Sequence, residues 1–571
     1  MLDFKLLIIV LLTLSSVSIQ AQQGVIRGFV YEEYSGEPVI YTNVIIEGEA
    51  LGAATDENGF FSITNVPLGE YRVLVTNIEY DTLSTPVTIS NNKIINLKLF
   101  LAKSNIQLKT VTIASKTQEK FEEVRISTIA VTPKQISRLP SVGGEPDLAQ
   151  YLQVLPGVIF TGDQGGQLYI RGGAPIHNKV LLDGMVIYNP FHSIGLFSVF
   201  ETDIIRNVEV LTGGFNAEYG DRISAIIDIT TRDGNKTGIH GKVSASPFLT
   251  KALIEGPIKK LNPSGGSSSF ILTGKHSYLN RTSPTLYDYV NDGTGIPFTF
   301  TDLYGKLSFS SGSGSKFSLF GFNYQDSARI SDLASFEWNS FGFGTNFVVV
   351  PGASNLLIEG IFAYSKYENI FQQTNEDPRF SEINGFQLGT DFTYFIPDGE
   401  LKYGFEIVGF ETNFSFFNAL DVEFQQQDFT SQLSAFVKYR KVINRKLVIE
   451  PSMRIQYYSS LGEFSPEPRL GLKYNLVDRV RLKFAGGLYS QNLISTKSDR
   501  DVVNLFNGFL SGPDETLQNP ERTKDSHRLQ KAWHAIGGIE IDATDNIEIN
   551  VEPYYKKFTQ LININREKLF P

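Results

Sequence analysis

The 571-residue chain contains no cysteine. That excludes a disulfide framework and any thiolate metal site. Positive charge is also in short supply. Lys and Arg number 51 against 61 Asp and Glu, a formal net charge of −10. A phosphate-binding surface needs a basic stripe, so nucleic acid is not expected as a partner. Long apolar runs are missing as well. Beyond the first 21 residues nothing approaches the length of a membrane-spanning helix. A membrane location would therefore require a closed β-barrel, because only helices and barrels satisfy the backbone in lipid. The histidines at 177, 192, 240, 276, 527 and 534 show no zinc spacing, and no serine sits in a G-x-S-x-G elbow. No catalytic residue, cofactor or metal is expected.

Phenylalanine, tyrosine and glycine, by contrast, are plentiful at 43, 25 and 50. Aromatics favour strands and glycine favours turns, so the chain is expected to be mainly β. Its length implies several domains. Residues 1–21 read as a signal peptide. Lys5 gives the positive start, Leu6 to Leu14 the short apolar stretch, and Ala21 a small residue at the cleavage point.

Four further regions follow. Residues 22–103 alternate short β-type runs (Val25–Tyr31, Tyr41–Ile46, Phe60–Ile63, Tyr71–Thr76, Ile94–Leu99) with turns such as Asp56-Glu57-Asn58-Gly59. That spacing predicts a small β-sandwich. Residues 104–128 are a charged linker holding one β-prone run, Thr110–Ile113. Residues 129–235 are mixed α+β, with a helix expected over Asp147–Leu155 and Gly-rich stretches between strand-like pieces. Residues 236–571 show strict dyads. Leu303, Leu307 and Phe309 alternate with Tyr304, Lys306 and Ser308, and Ile547, Ile549 and Val551 alternate with polar neighbours. This is the pattern of an antiparallel transmembrane β-barrel with lipid outside and a wet lumen inside. Period two alone also suits a soluble sandwich; the export signal and aromatic-rich strands favour the membrane.

Three groups of motifs carry a resemblance. Thr55-Asp56-Glu57-Asn58-Gly59-Phe60-Phe61 and Val66-Pro67-Leu68-Gly69-Glu70-Tyr71 resemble a carboxypeptidase-regulatory-like sandwich. Leu155-Pro156-Gly157-Val158, Tyr169-Ile170-Arg171-Gly172-Gly173, Val180-Leu181-Leu182-Asp183-Gly184, Val208-Glu209-Val210-Leu211, Ala217-Glu218-Tyr219-Gly220 and Ile226-Ile227-Asp228-Ile229-Thr230-Thr231 follow in the order of a plug domain. Together they resemble the TonB-dependent outer-membrane receptors. Leu108, Lys109, Thr110, Val111, Thr112 and Ile113 stand where that family carries its TonB box. A short extended segment on a tether can add a strand to a partner sheet. An ordinary linker or a last sandwich strand would read the same.

The resemblance implies a receptor that binds a scarce nutrient outside the cell and imports it into the periplasm with energy relayed by TonB. The alternative is a surface sensor that signals without transport. The implied partners are the TonB energy-coupling complex, outer-membrane lipid and a nutrient ligand, with a surface lipoprotein left open. Ligand contacts are expected from two plug loops, at Asp163 and Gln164, and at Tyr188, Asn189, Phe191 and His192. A mixture of aromatic and hydrogen-bonding groups suits such contacts. Arg171, Glu209 and Arg222 are candidate plug-to-barrel contacts. Asn492 to Lys531 is the longest stretch without strand pattern and is expected as an extracellular loop. The resemblance implies a barrel of about 22 strands, whereas roughly 15 strand-like segments are legible, so a C-terminally truncated, incomplete barrel is expected.

Overall fold

Alternating burial builds almost every element of this chain. The computed structural model describes residues 23–561, apart from 50, 91–92, 105–123, 125, 142, 162–165, 193–194, 196, 263–264, 331–332, 353, 418–421, 445, 496–505, 507, 512–528 and 545–546. The segments read as signal peptide and TonB box lie outside the described residues.

The N-terminal module is a sandwich of two sheets. In one, Gln23–Glu32 lies between antiparallel Phe60–Pro67 and parallel Ile94–Leu101. The other runs in the order Gly52–Ala54, Asn43–Ile46, Gly69–Asn77, Tyr80–Ile89. Inward residues of both sheets, among them Ile26, Val30, Val44, Phe61, Val73 and Leu99, share one buried core. Two of these strands, Gly52–Ala54 and Tyr80–Ile89, are absent from the sequence reading. The second is an edge strand that carries Pro86 and leaves most of its side chains partly or fully exposed. Edge strands tolerate proline and need little apolar patterning, which hides them.

The plug is a five-stranded mixed sheet in the order Met185–Val186, Asn178–Leu182, Ala225–Thr231, Ile205–Leu211, Thr128–Val131. A hairpin of Val158–Thr161 and Gln167–Ile170 stands beside it. The helix expected over Asp147–Leu155 is shorter, Leu148–Leu152. Asp147 caps it by accepting from the Ala149 amide at 2.8 Å.

Around the plug stands a sheet of 16 strand segments, each antiparallel to its neighbours, from His240–Ala245 to Ile547–Val551 and Tyr554–Gln560. The last two both pair with Gln530–Thr544 and form one strand interrupted at Glu552-Pro553. The dyads sort as expected. Leu303, Leu307 and Phe309 are 53%, 37% and 39% exposed, while Tyr304, Lys306 and Ser308 are at most 5%. No described helix is long and apolar enough to cross a membrane. Among the described residues no pairing joins His240–Ala245 to the last strand. One end of the wall has short turns, as at 397–398 and 478–479, and the other carries the long segments 278–297 and 492–529. Short turns mark the periplasmic end of such barrels.

Candidate functional site

The plug loop at Tyr188–His192 is held at the long-loop end of the wall. Tyr188 packs on Phe509 with ring centres 5.8 Å apart. Asn189 Nδ2 donates to the Tyr367 hydroxyl at 3.4 Å. Phe191 meets Phe160 at 5.1 Å. His192 stacks on Phe300 at 3.7 Å, and its Nε2 lies 2.9 Å from Asp302. Its Nδ1 is 3.4 Å from Asp326, an electrostatic neighbour more than a formed hydrogen bond. Phe191 and His192 are 2% and 0% exposed and anchor the loop against the wall. Burial alone would lower the His192 pKa, but Asp302 and Asp326 outweigh it and hold the imidazole above its usual range. Asp163 and Gln164 lie outside the described residues.

The long loop is less solvated than its composition suggests. Ile494–Ser495 pairs with Phe509–Leu510, and this short hairpin turns inward. The Phe509 amide donates to Ser381 Oγ at 3.2 Å, and Gln491 Nε2 donates to the Ile176 carbonyl at 2.9 Å. Phe506, Phe509 and Leu510 are all buried. These residues lie over the Tyr188 loop, where aromatic surface is hidden from water by other aromatic surface.

The three expected polar contacts of the plug go to three places. Arg171 reaches the wall: Nη2 donates to Glu552 at 2.9 Å and Nη1 to Ser127 Oγ at 2.7 Å, with Tyr554 under the guanidinium. Glu209 accepts from the hydroxyl of Tyr41 in the sandwich at 2.6 Å. Arg222 turns into the plug itself, pairing with Asp221 at 2.7 Å and the Asn178 carbonyl at 3.2 Å. Replacing Arg171 with alanine is expected to cost about 2–3 kcal/mol, because Glu552 loses its charged donor. Urea unfolding of the purified protein would show it, and an unchanged midpoint would contradict it.

Several stronger contacts escaped the sequence reading. Glu218 receives Lys402 Nζ at 2.6 Å and also Lys438. Arg454 donates to Glu406 at 2.5 Å while reaching the Ala217 and Glu218 carbonyls at 3.4 Å. Arg469 donates to the Tyr219 carbonyl at 2.6 Å. All four basic residues point inward from the wall onto Ala217-Glu218-Tyr219-Gly220. A Cβ at Gly220 would stand 2.1 Å from Arg454 Nε, which is why glycine is needed there. Asp183, in a turn with φ of 50°, accepts from Thr231 Oγ1 at 2.6 Å and the Tyr304 hydroxyl at 2.8 Å. Burial pushes the Glu218 carboxyl up, but Lys402 and Lys438 more than reverse this and hold it well below the usual range. The signal was available: both motifs carry a carboxylate, and the dyads of the wall place lysines and arginines on the lumen face.

Polar space remains between plug and wall. One cavity of about 260 Å³ is lined by Glu57, Lys179, Asp228, Glu359, Asp391 and Lys402, among others. A second, of about 290 Å³, includes Tyr41, Asp56, Glu209, Glu400 and Ser452.

Comparison with known proteins fits this arrangement. Residues 26–113 match the CarboxypepD_reg-like domain, and residues 120–225 match the TonB-dependent receptor plug domain. Over these two stretches the chain carries the domains of a TonB-dependent receptor. The receptor is 28% identical over 229 residues to the TonB-dependent receptor SusC of Bacteroides thetaiotaomicron, covering 38% of this chain and 22% of that one. It is 24% identical over 280 residues to the TonB-dependent transporter Oar of Myxococcus xanthus, covering 46% and 24%. These matches thus span under a quarter of the curated relatives' own length. In fold it is similar to the siderophore receptor PirA from Acinetobacter baumannii, with TM-score 0.56 and 14% identity over 77% of this chain and 71% of that one. The outer membrane transporter YddB from Escherichia coli gives TM-score 0.53 and 12% identity over 75% and 69%. The receptor is an outer-membrane protein.

Proposed function

We propose that this receptor binds a scarce nutrient at the cell surface and imports it into the periplasm with energy relayed by TonB. The observation that carries this reading is the way the plug is held. Its contacts with the wall around Glu218, Asp183 and Arg171 are ion pairs and hydrogen bonds. Cavities lined by charged and polar side chains lie beside them. Apolar contacts also hold the plug, among them Leu182, Met185 and Phe191 with Phe322, Trp338 and Tyr367 of the wall. The polar contacts are the ones that water can replace as the plug moves.

In this reading Leu108 to Ile113 is the TonB box, which would add a strand to TonB through main-chain hydrogen bonds. Proline at Val111 removes a donor and bars such pairing. The periplasmic domain of TonB should therefore bind the Val111→Pro receptor at least about tenfold more weakly than the parent, a loss of about 1.4 kcal/mol. The variant's heat-modifiable mobility in detergent should be unchanged. Equal affinity for TonB would remove the box assignment.

A further inference from the structure

The sandwich does not hang free below the wall. Phe29, Tyr31 and Phe60 share a buried cluster with Val348, Val350 and Leu357 of the wall. Arg27 donates to the Pro351 and Ser354 carbonyls in a short turn, and Lys98 Nζ reaches the Ser311 carbonyl at 3.2 Å in another. From this seat the turn Asp56-Glu57-Asn58-Gly59 projects into the lumen. Asp56 Oδ1 accepts from the Asn58 and Phe60 amides, both at 2.8 Å, and so holds the turn's shape. Asn58 Nδ2 donates to Glu359 at 2.8 Å, and Lys316 Nζ donates to the Asn58 carbonyl at 2.6 Å. Arg206 of the plug pairs with Glu37 at 3.1 Å. Asp56, Glu57, Asn58 and Tyr41 thereby form walls of the two polar cavities between plug and barrel.

We infer that the sandwich is a second, inner gate of this receptor: its 56–59 turn closes the polar passage between plug and wall, and the module must leave its seat before that passage opens to the periplasm. This rests on the transport reading above and adds the route and the element that blocks it. Two features suit a gate better than a permanent floor. The contacts around the turn are polar and replaceable by water. The turn also carries its carboxylates towards others. Asp56 faces Glu359, with Lys316 as its nearest counter-charge. Glu57 faces Asp228, Glu359, Glu209 and Asp56. Burial and these like charges push Asp56 up to about 7 and Glu57 well above its usual range. Both pKa values are raised on seating, so seating takes up protons. The seat is therefore firmest at acid pH and weakens as pH rises from about 4 towards 7.

These 571 residues hold no cysteine, so the chain presents no thiol of its own. Ser452→Cys places one thiol in the second cavity, and its labelling by a small maleimide is timed in the purified chain. Labelling should be slow with the sandwich intact. It should rise about tenfold or more when Glu37→Ala, Tyr41→Phe and Asn58→Ala loosen the seat, since reactivity follows the open fraction. An oxidised Asn58→Cys, Glu359→Cys pair should slow it below the parent rate, and reductant should restore it. The locked pair keeps the test decisive if the loosened variant folds poorly. Equal rates in all backgrounds would overturn the gate. Failure of the receptor to bind TonB would count against transport and leave these rates as they are.

Discussion

Glu218→Ala is expected to destabilise the seated plug by about 3–5 kcal/mol, the usual cost of leaving buried charge unpaired. Lys402 and Lys438 both converge on this one carboxylate, and their side chains are only 15% and 9% exposed. With the carboxylate gone, Lys402 is left with Glu359 and Asp391 at 3.8 and 3.7 Å, and Lys438 with Glu400 at 3.5 Å, in place of one close shared partner. Limited proteolysis of the plug in the purified receptor, read alongside its urea midpoint, would show the loss. Glu218→Gln should recover little, because an amide supplies hydrogen bonds without charge. The pH dependence has a definite sign. The folded carboxyl is held below its usual range, so its contribution is full above about pH 4.5 and is lost as pH falls further. A plug as stable in the alanine variant as in the parent would show that the two lysines find other partners.

The second large effect is expected at His192. Removing the imidazole by His192→Ala leaves Asp302 and Asp326 facing each other with Lys275, 3.1 Å from Asp302, as the remaining close cation. Breaking a buried charge cluster in this way costs about 3–5 kcal/mol. His192→Phe keeps the ring stacked on Phe300 and isolates the charge. The folded imidazole is held above its usual range, so its stabilisation is full below about pH 6.5 and is lost as pH rises through the raised value. Thermal unfolding of the parent should therefore drop more between pH 6 and pH 9 than that of His192→Phe. Parallel pH profiles would mean that the histidine is neutral throughout.

How much of this was legible from the residues depends on the range of the forces involved. The dyad at Leu303–Phe309 fixes which side faces lipid, because period two is a local property. The turn Asp56-Glu57-Asn58-Gly59 is equally local: its aspartate bonds its own backbone, and Gly59 takes φ of 74°. Glu218 and Lys402 are 184 positions apart, and Tyr41 and Glu209 are 168. Nothing along the chain specifies those pairs. They follow from how the wall curves around the plug. The place of His192 is hidden for a related reason. An aromatic and hydrogen-bonding loop looks the same whether it meets a ligand or two aspartates of the wall. The docked sandwich was not anticipated, because Phe29 and Phe60 read as core of their own module, yet they lie against Val348 and Leu357.

Transport requires that TonB move this plug to admit a nutrient. The most direct measurement is accumulation of labelled ferric siderophores, oligosaccharides, peptides and cobalamin by cells expressing the receptor, with and without TonB. At least one compound should accumulate only when TonB is present, while its binding at the cell surface is the same in both strains. Accumulation that is equal with and without TonB would contradict TonB-driven transport.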